Sequence, residues 1–208
     1  MQTSYHRAIT EQALSQYFLP PALEQVVIAN LAQDHLLSGQ IGHPEYHFDH
    51  NSFAKSWAYM ENNRELVLPA LEAGDARAAR RAFGRLTHGG QDLYAHSNYV
   101  ALWLGRFKEG EWPLPEDLDP LDMEILRGPA LRSGKIYLPL EPLSWIPVLQ
   151  KIVMPLIPRD SHAWMNLDGP ERGPLFAYAL AAAVKRTRFE YQRTVQDLPG
   201  ELMELFTK

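Results

Sequence analysis

The feature that most constrains this chain is the run THGGQDLYAHSN at positions 87–98, which spaces His88, Asp92 and His96 four residues apart. Residues four apart lie on one face of an α-helix. Imidazole nitrogens and carboxylate oxygens are a ligand set that zinc accepts. If the stripe is buried, its polar groups need partners, because an unpaired buried polar group is costly. The run therefore predicts a metal site inside a helical bundle, and so a hydrolytic enzyme.

The length and composition indicate one globular domain. With 208 residues, the chain is expected to form a single helical metal-binding domain over residues 1–208. A formal net charge of −5 gives no strong nucleic-acid signal, since nucleic-acid-binding domains are usually basic. The absence of cysteine from the sequence excludes thiolate ligands. No signal peptide or spanning apolar run is visible, so the expected location is cytoplasmic.

The hydrophobic pattern predicts an all-α, multi-helix bundle with minimal strand content. Prolines and glycines, together with the turn-rich run SGQIGHP at 38–44, separate the predicted helices. These helices cover residues 6–18, 21–37, 53–71, 76–104, 122–131 and 173–195, with a short helix closing the chain. Within the helix 76–104, the pair Gly89-Gly90 either admits a close neighbour or bends the helix.

The segment 139–158 is apolar and interrupted by prolines, which rule out one long straight helix. It is expected to form a buried wall or, alternatively, an exposed patch beside a site. In the exposed form, a surface patch suited to peripheral membrane contact would be made by Trp145, Ile146, Val148 and Leu149.

Further candidate ligands lie outside the central run. His47 and Asp49 alternate by two, so in an extended segment they would face the same way. His162 precedes Asn166 by four residues, so a helical turn would present both side chains together. Asp168 is the alternative to Asn166 as a ligand.

These pieces resemble the zinc-dependent phospholipase C superfamily, most closely its heterokaryon-incompatibility (Het-C-like) branch, which is related to the zinc-dependent single-strand nucleases. The resemblance is carried by HRAIT at 6–10, NLAQD at 30–34, HFD at 47–49, LTHGGQDLYAHSNYV at 86–100, and His162 with NLD at 166–168. It implies an all-helical fold with two or three zinc ions, or another divalent metal, between the helices. The implied metal-ligand positions are His6, Asp34, His47, Asp49, His88, Asp92, His96, His162 and Asn166.

The resemblance also implies a metal-dependent phosphoesterase that uses metal-activated water on a phospholipid-like or other phosphoester substrate. Paired divalent ions can stabilise both the attacking and the leaving oxygen of such a displacement. Asp34 is the expected catalytic residue that orients or deprotonates the water, and Asp49 is a second catalytic candidate. The expected partner is a small-molecule or lipid substrate.

Two other functions remain open at this point. The first is a metal-dependent lyase, cyclase or other enzyme acting on a small organic substrate. The second is a non-catalytic interaction protein with a structural metal, since structural sites are closed whereas catalytic sites keep an open position. The sequence gives no indication of the oligomeric state.

Overall fold

Helices dominate the computed structural model, which describes residues 1–40, 42–108, 110–144 and 146–208. The predicted all-α class is confirmed, because these ranges hold no β-strand and only two isolated bridges, Ser97 to Ser133 and Lys135 to Ser161. The α-helices are α1 Thr3–Leu14, α2 Pro20–Leu31, α3 Pro44–His47, α4 Phe53–Glu65, α5 Val67–Glu72, α6 Ala76–His96, α7 Tyr99–Leu104, α8 Met123–Leu126, α9 Leu140–Ser144, α10 Pro147–Val153, α11 His162–Met165, α12 Leu175–Val195 and α13 Gly200–Thr207.

Helix α6 is the central element, with α2, α4, α5 and α12 packed along it. Asp75 caps its first turn by accepting a hydrogen bond from the backbone N–H of Ala78 at 2.8 Å. Gly84 allows α2 to approach closely, because a Cβ there would lie 2.4 Å from the carbonyl oxygen of Val26. A Cβ on Gly89 would lie 3.2 Å from the Tyr46 carbonyl oxygen, so this glycine admits α3 as a close neighbour.

Two of the predicted helices are interrupted. The predicted helix 76–104 ends at His96, because Ser97 is extended (φ −114°, ψ 169°), and α7 starts two residues later. Two hydrogen bonds join Asn98 and Arg132 at this break. The Asn98 N–H donates to the Arg132 carbonyl at 3.0 Å, and the Arg132 N–H donates to the side-chain oxygen of Asn98 at 2.8 Å. The predicted helix 53–71 divides after Glu65, since Pro69 has no N–H to donate to the Glu65 carbonyl.

Other predicted boundaries also move. Helix 21–37 stops at Leu31, and a short 3-10 turn and a π-helical turn carry the chain to Gln40. The helix predicted over 122–131 is reduced to the four residues of α8, because Gly128 and Pro129 follow it. The first predicted helix lies earlier in the chain, at α1, and the helix predicted from residue 173 begins after Pro174.

The segment 139–158 is neither wholly buried nor wholly exposed. Val153 and Ile157 are buried with Ala163 in a small cluster separate from the main core. The exposed apolar side chains of the same segment are Leu143, Ile146, Val148, Ile152 and Leu156. Trp145 lies outside the described residues. None of the helices in the described ranges is both long and apolar enough to cross a membrane.

Candidate metal centre

The buried stripe of α6 presents His88, Asp92 and His96 on one face, as the four-residue spacing predicts. Helix α1 and the turns that surround α6 bring further imidazoles and carboxylates against this stripe. The side chains gathered around it are His6, Asp34, His47, Asp49, His162 and Asp168. Residues from six separate stretches of sequence therefore meet at one buried point.

Asp92 lies at the centre of the cluster. Its Oδ2 is 2.9 Å from Nδ1 of His47 and 3.0 Å from Nε2 of His88. Its Oδ1 is 3.2 Å from Nε2 of His6 and 3.6 Å from Nε2 of His96. Two ligand atoms about 2.1 Å from a tetrahedral zinc ion lie roughly 3.4 Å apart, which is close to the separations of Oδ1 from His6 and His96. The two shorter separations of Oδ2 are hydrogen-bond distances.

The donors form three groups, in each of which the candidate ligand atoms lie within 4.8 Å of one another. The groups are His6, His88 and Asp92; Asp34, His47 and His88; and Asp49, His96 and His162. Three buried polar atoms in these groups, Nε2 of His6, Oδ2 of Asp34 and Oδ1 of Asp49, have no hydrogen-bond partner among the described residues. Buried polar atoms almost always have partners, and a cation held by each group would give one to each of the three atoms.

The proton position on His6 is fixed by its neighbour Gln91. The Gln91 amide donates to the hydroxyls of Thr10 and Thr187 at 3.0 and 3.1 Å, and both hydroxyls donate their own protons to backbone carbonyls. The amide oxygen of Gln91 must therefore face Nδ1 of His6, which lies 2.6 Å away. Nδ1 carries the proton, so the lone pair of Nε2 points towards Asp92.

Three other imidazoles are oriented in the same way. Nε2 of His47 donates to the carbonyl of Gly39 at 3.3 Å, and Nδ1 of His96 donates to the carbonyl of His47 at 3.0 Å. Nδ1 of His88 faces the side-chain oxygen of Asn30 at 3.4 Å. Carbonyl oxygens only accept, so each of these rings turns one protonated nitrogen outward and its second nitrogen towards the cluster.

The charges in the cluster shift several pKa values strongly. Burial, reinforced by the neighbouring His6, lowers the pKa of His88 to about 4, so this ring is neutral near neutral pH. Burial raises the pKa of Asp92, but the positive charges of His96 and of the amino group of Met1 outweigh it and hold the pKa well below its usual range. For His96, burial lowers the pKa, and the attraction of Asp92 and Asp49 overcomes this and raises it well above normal.

The backbone that carries Asp49 is locally strained. Phe48, His50 and Asn51 all have left-handed φ angles of 54–59°, which non-glycine residues rarely adopt. Asn51 and Ser133 hold this turn by exchanging two backbone-to-side-chain hydrogen bonds of 2.8 Å each. The extended segment expected for residues 47–49 is therefore absent, and the turn instead brings Oδ1 of Asp49 within 3.4 Å of Nδ1 of His96.

His162 approaches the cluster over a glycine. A Cβ on Gly134 would lie 2.5 Å from the Cα of His162, so only glycine permits this contact. Nε2 of His162 is 3.4 Å from Nε2 of His96, while its Nδ1 lies 3.4 Å from the buried carboxylate of Glu141. The Glu141 carboxylate thus faces the ring nitrogen of His162 that points away from the cluster. Amide and carbonyl oxygens face the corresponding nitrogen of the other four histidines.

The structure separates the two candidates that follow His162. Asn166 turns back and donates to the carbonyl of His162 at 2.8 Å. Asp168 instead joins the cluster, with Oδ1 at 3.2 Å from Nε2 of His96 and 3.1 Å from the amino nitrogen of Met1. That nitrogen is also 2.6 Å from Oδ1 of Asp92.

One side of the cluster is open to a cavity of about 660 Å³. The floor of this cavity is polar and includes Asp34, His47, Asp49, His96, His162 and Asp168. Its apolar wall includes Leu36, Ile136, Leu138 and Pro142. The cavity can therefore admit a ligand with a polar group at the cluster and an apolar body along the wall.

Sequence reasoning missed the residues that orient the ligands: Asn30, Asn51, Gln91, Gly134 and Glu141. Gln91 carried a usable signal, because it is a polar residue directly beside the candidate ligand Asp92 in the run 86–96, which the structure buries completely. Asn51, Gly134 and Glu141 carried none, since their partners are distant in sequence.

Together, the fold and the cluster define an all-helical domain with a buried histidine–aspartate centre beside a cavity. A family model described as the VWA7 N-terminal domain matches residues 1–109, and the chain belongs to that family. The von Willebrand factor A domain-containing protein 7 of Rattus norvegicus and that of Homo sapiens are each 36% identical to it over 81 residues. The alignment covers 39% of this chain and 9% of each relative, so it spans under a tenth of those proteins. No solved structure matches the chain.

The family match corrects the identification made from sequence. The assignment to the zinc-dependent phospholipase C superfamily and its Het-C-like branch is wrong, because the family model places the chain elsewhere. The predicted phosphoesterase activity and hydrolase class are wrong with it. The family match does not support the alternatives of a lyase or of an interaction protein with a structural metal. The error has a physical reason: ligand spacing on a helix specifies donor atoms on one face, and it specifies neither a reaction nor a family.

Proposed function

We propose that this chain is a divalent-cation-binding domain whose buried centre holds two or three cations and leaves one side open to a ligand in the cavity. The observation that carries the proposal is the common orientation of five imidazoles. Each directs one ring nitrogen to an outer oxygen and the other into the cluster. Metal-binding histidines characteristically make such an outer contact, which fixes the tautomer and the ring orientation.

The charge of the cluster also fits cations. Asp34, Asp49, Asp92 and Asp168 bring four carboxylates to one largely buried site. The amino group of Met1 supplies one positive charge against Asp92 and Asp168, divalent cations would balance the remaining negative charge, and imidazoles would complete the ligand set. Asp92 would be shared between cations, because its two oxygens face different histidines. When bound, such a cation supplies an electrophilic centre that attracts anionic or lone-pair groups.

The ligand class follows from the cavity. Its polar floor would place an anionic or oxygen-bearing group next to the cations, and the wall formed by Leu36, Ile136 and Leu138 would contact an apolar body. A small amphiphilic molecule with an acidic head satisfies both surfaces. We therefore propose an amphiphile of this kind as the ligand of the centre.

Metal analysis of the purified chain tests cation binding. The protein is stripped with a chelator, titrated with Zn²⁺ and analysed by inductively coupled plasma mass spectrometry. We expect two or three equivalents for the parent chain and the loss of at least one for Asp92→Asn. The matched control is Asp197→Asn, which changes an exposed carboxylate and should bind as the parent does. No bound metal, or equal binding by Asp92→Asn, overturns the proposal.

A second measurement tests the open position separately. The chain is loaded with Co²⁺, whose visible absorption reports its ligands, and azide or acetohydroxamate is then added. A change in the absorption bands that saturates with the added ligand is expected if a cation faces the cavity. Unchanged bands at saturating ligand, with Co²⁺ still bound, would refute the ligand proposal and leave cation binding in place.

A further inference from the structure

We propose that the exposed apolar face of residues 138–156, here called the apolar face, docks this protein onto an anionic lipid surface. The face is defined by Leu138, Leu143, Ile146, Val148, Ile152 and Leu156. The proposal is independent of cation binding, because it depends on other residues and on a surface outside the buried centre.

The side chains of the apolar face stand out into solvent to an unusual degree. Val148 is 83% exposed, Leu138 75%, Ile152 67% and Leu156 64%. Val148 and Ile152 lie one helical turn apart on α10 and form one stripe, and Leu156 is exposed in the 3-10 turn that follows. Concentrated exposure of large apolar side chains marks a surface that binds another molecule or a membrane.

The fold does not need these side chains for its own core. Val153 and Ile157 supply the packing of this segment by burying themselves against Ala163. The stripe formed by Val148 and Ile152 points away from that cluster. The segment is therefore apolar on both sides, and the outer side is free to enter a hydrocarbon phase.

The charges around the face favour an anionic surface. Residues 142–159 contain two basic side chains, Lys151 and Arg159, and no aspartate or glutamate, although the whole chain carries a net charge of −5. Lys151 and Arg159 are exposed. Of the neighbouring carboxylates, Glu141 is buried and Asp160 is paired with Lys135 at 2.7 Å. Basic residues beside an apolar helical face are the combination that binds anionic lipid interfaces.

A lipid surface fits this face better than a protein groove does. Side chains exposed by two thirds or more project outward, and a bilayer accepts them without a complementary shape. The face is also continuous with the cavity, since Leu138 belongs to both and Pro142, in the middle of α9, lines the cavity. Docking would thus place the wall of the cavity next to the lipid.

Vesicle sedimentation tests the proposal. The full chain is mixed at about 0.1 M salt with vesicles of phosphatidylcholine alone or with about 30% phosphatidylserine. We expect binding to the phosphatidylserine vesicles and an at least tenfold weaker partition for Val148→Glu/Ile152→Glu. Lys151→Gln should weaken the partition about fivefold, and only on the anionic vesicles. The matched control is Ile28→Glu/Leu114→Glu, which alters two side chains of similar exposure elsewhere and should bind normally.

Two results would overturn the proposal. One is the absence of binding to anionic vesicles, and the other is binding that Val148→Glu/Ile152→Glu leaves unchanged. If the parent chain does not bind vesicles but forms a dimer in light scattering that Val148→Glu/Ile152→Glu converts to a monomer, the apolar face is assigned to contact between two copies of the chain.

Discussion

The side-chain oxygen of Gln91 accepts a hydrogen bond from Nδ1 of His6 at 2.6 Å, and this contact decides which nitrogen of His6 faces Asp92. The donor groups of Gln91 are held by two threonine hydroxyls whose own protons are already committed to carbonyls. The amide therefore has one allowed orientation, and the imidazole has one allowed tautomer.

Replacing Gln91 should weaken cation binding without removing a ligand. Gln91→Leu keeps the volume of the side chain and deletes the acceptor for His6. We expect a 10–100-fold lower Zn²⁺ affinity, the usual effect of losing an outer contact to a metal-binding histidine. Competition titration against a chromophoric chelator measures it. Gln25→Leu, which changes a glutamine on α2 that contacts Arg80, is the control, and equal affinities of the two variants would contradict the prediction.

Replacing Asn51, which holds the strained turn, should weaken cation binding at Asp49 and His162. Asn51→Ala removes the side-chain oxygen that accepts from the Ser133 N–H and places alanine at φ 54°, at a cost of about 1–2 kcal/mol for the left-handed backbone. Asn51→Gly removes the same hydrogen bond without that cost, and both variants keep the bond from the residue 51 N–H to Ser133. We expect both variants to lose cation affinity at Asp49 and His162, and the alanine variant to be the less stable in urea. Unchanged stoichiometry and affinity in both variants would show that the turn does not position Asp49.

Two glycines of α6 should respond in opposite ways to alanine. Gly84→Ala places a Cβ 2.4 Å from the Val26 carbonyl oxygen and 2.7 Å from Ala29, so α2 must move, at a cost of about 1–3 kcal/mol. At Gly90 the nearest atoms are the flexible end of Met60, Cε at 3.3 Å, and Cγ of Arg186 at 3.4 Å, which is an ordinary contact. Gly90→Ala should be neutral or stabilise the helix by up to about 1 kcal/mol. Urea unfolding of both variants measures the difference, and similar effects would contradict the proposed close packing of α2.

A buried charge network should contribute strongly to stability. Glu190 is fully buried and accepts hydrogen bonds from Arg64 and from Nε of Arg186, the latter at 2.6 Å. Glu190→Gln leaves two arginines without their carboxylate and should cost about 3–5 kcal/mol. The surface pair between Glu24 and Arg7 is the comparison, since Glu24→Gln should cost less than about 1 kcal/mol. Equal losses of unfolding free energy in the two variants would mean that the buried network stabilises the fold no more than the surface pair does.

Cation binding should raise the melting temperature. A ligand that binds only the folded state at about one hundred times its Kd stabilises that state by about 2.7 kcal/mol. We expect Zn²⁺ to raise Tm, a chelator to reverse the change, and acid to reduce it, because protons compete for the imidazole nitrogens. Differential scanning calorimetry with and without chelator measures the shift. A Tm that Zn²⁺ leaves unchanged while Asp92→Asn alters it would assign Asp92 a structural role alone.

The central helix and its stripe were predictable from sequence because they are local. The four-residue spacing of His88, Asp92 and His96 determines one helical face, and the face is buried as predicted. The end of that helix was not predictable, since the contact that holds the break at Ser97 comes from Arg132, far along the chain. Likewise, the turn around Asp49 depends on Ser133, and its left-handed backbone has no local sequence signal.

The sequence by itself determined the all-α class, the donor atoms of α6 and the exclusion of thiolate ligands, because helical periodicity and residue chemistry act over a few residues. Only the tertiary structure decided that Asp168 rather than Asn166 reaches the cluster, and which nitrogen of each histidine faces inward. Those choices depend on hydrogen bonds between distant segments such as Gln91 with His6. They follow from packing in three dimensions, and spacing along the chain does not encode them.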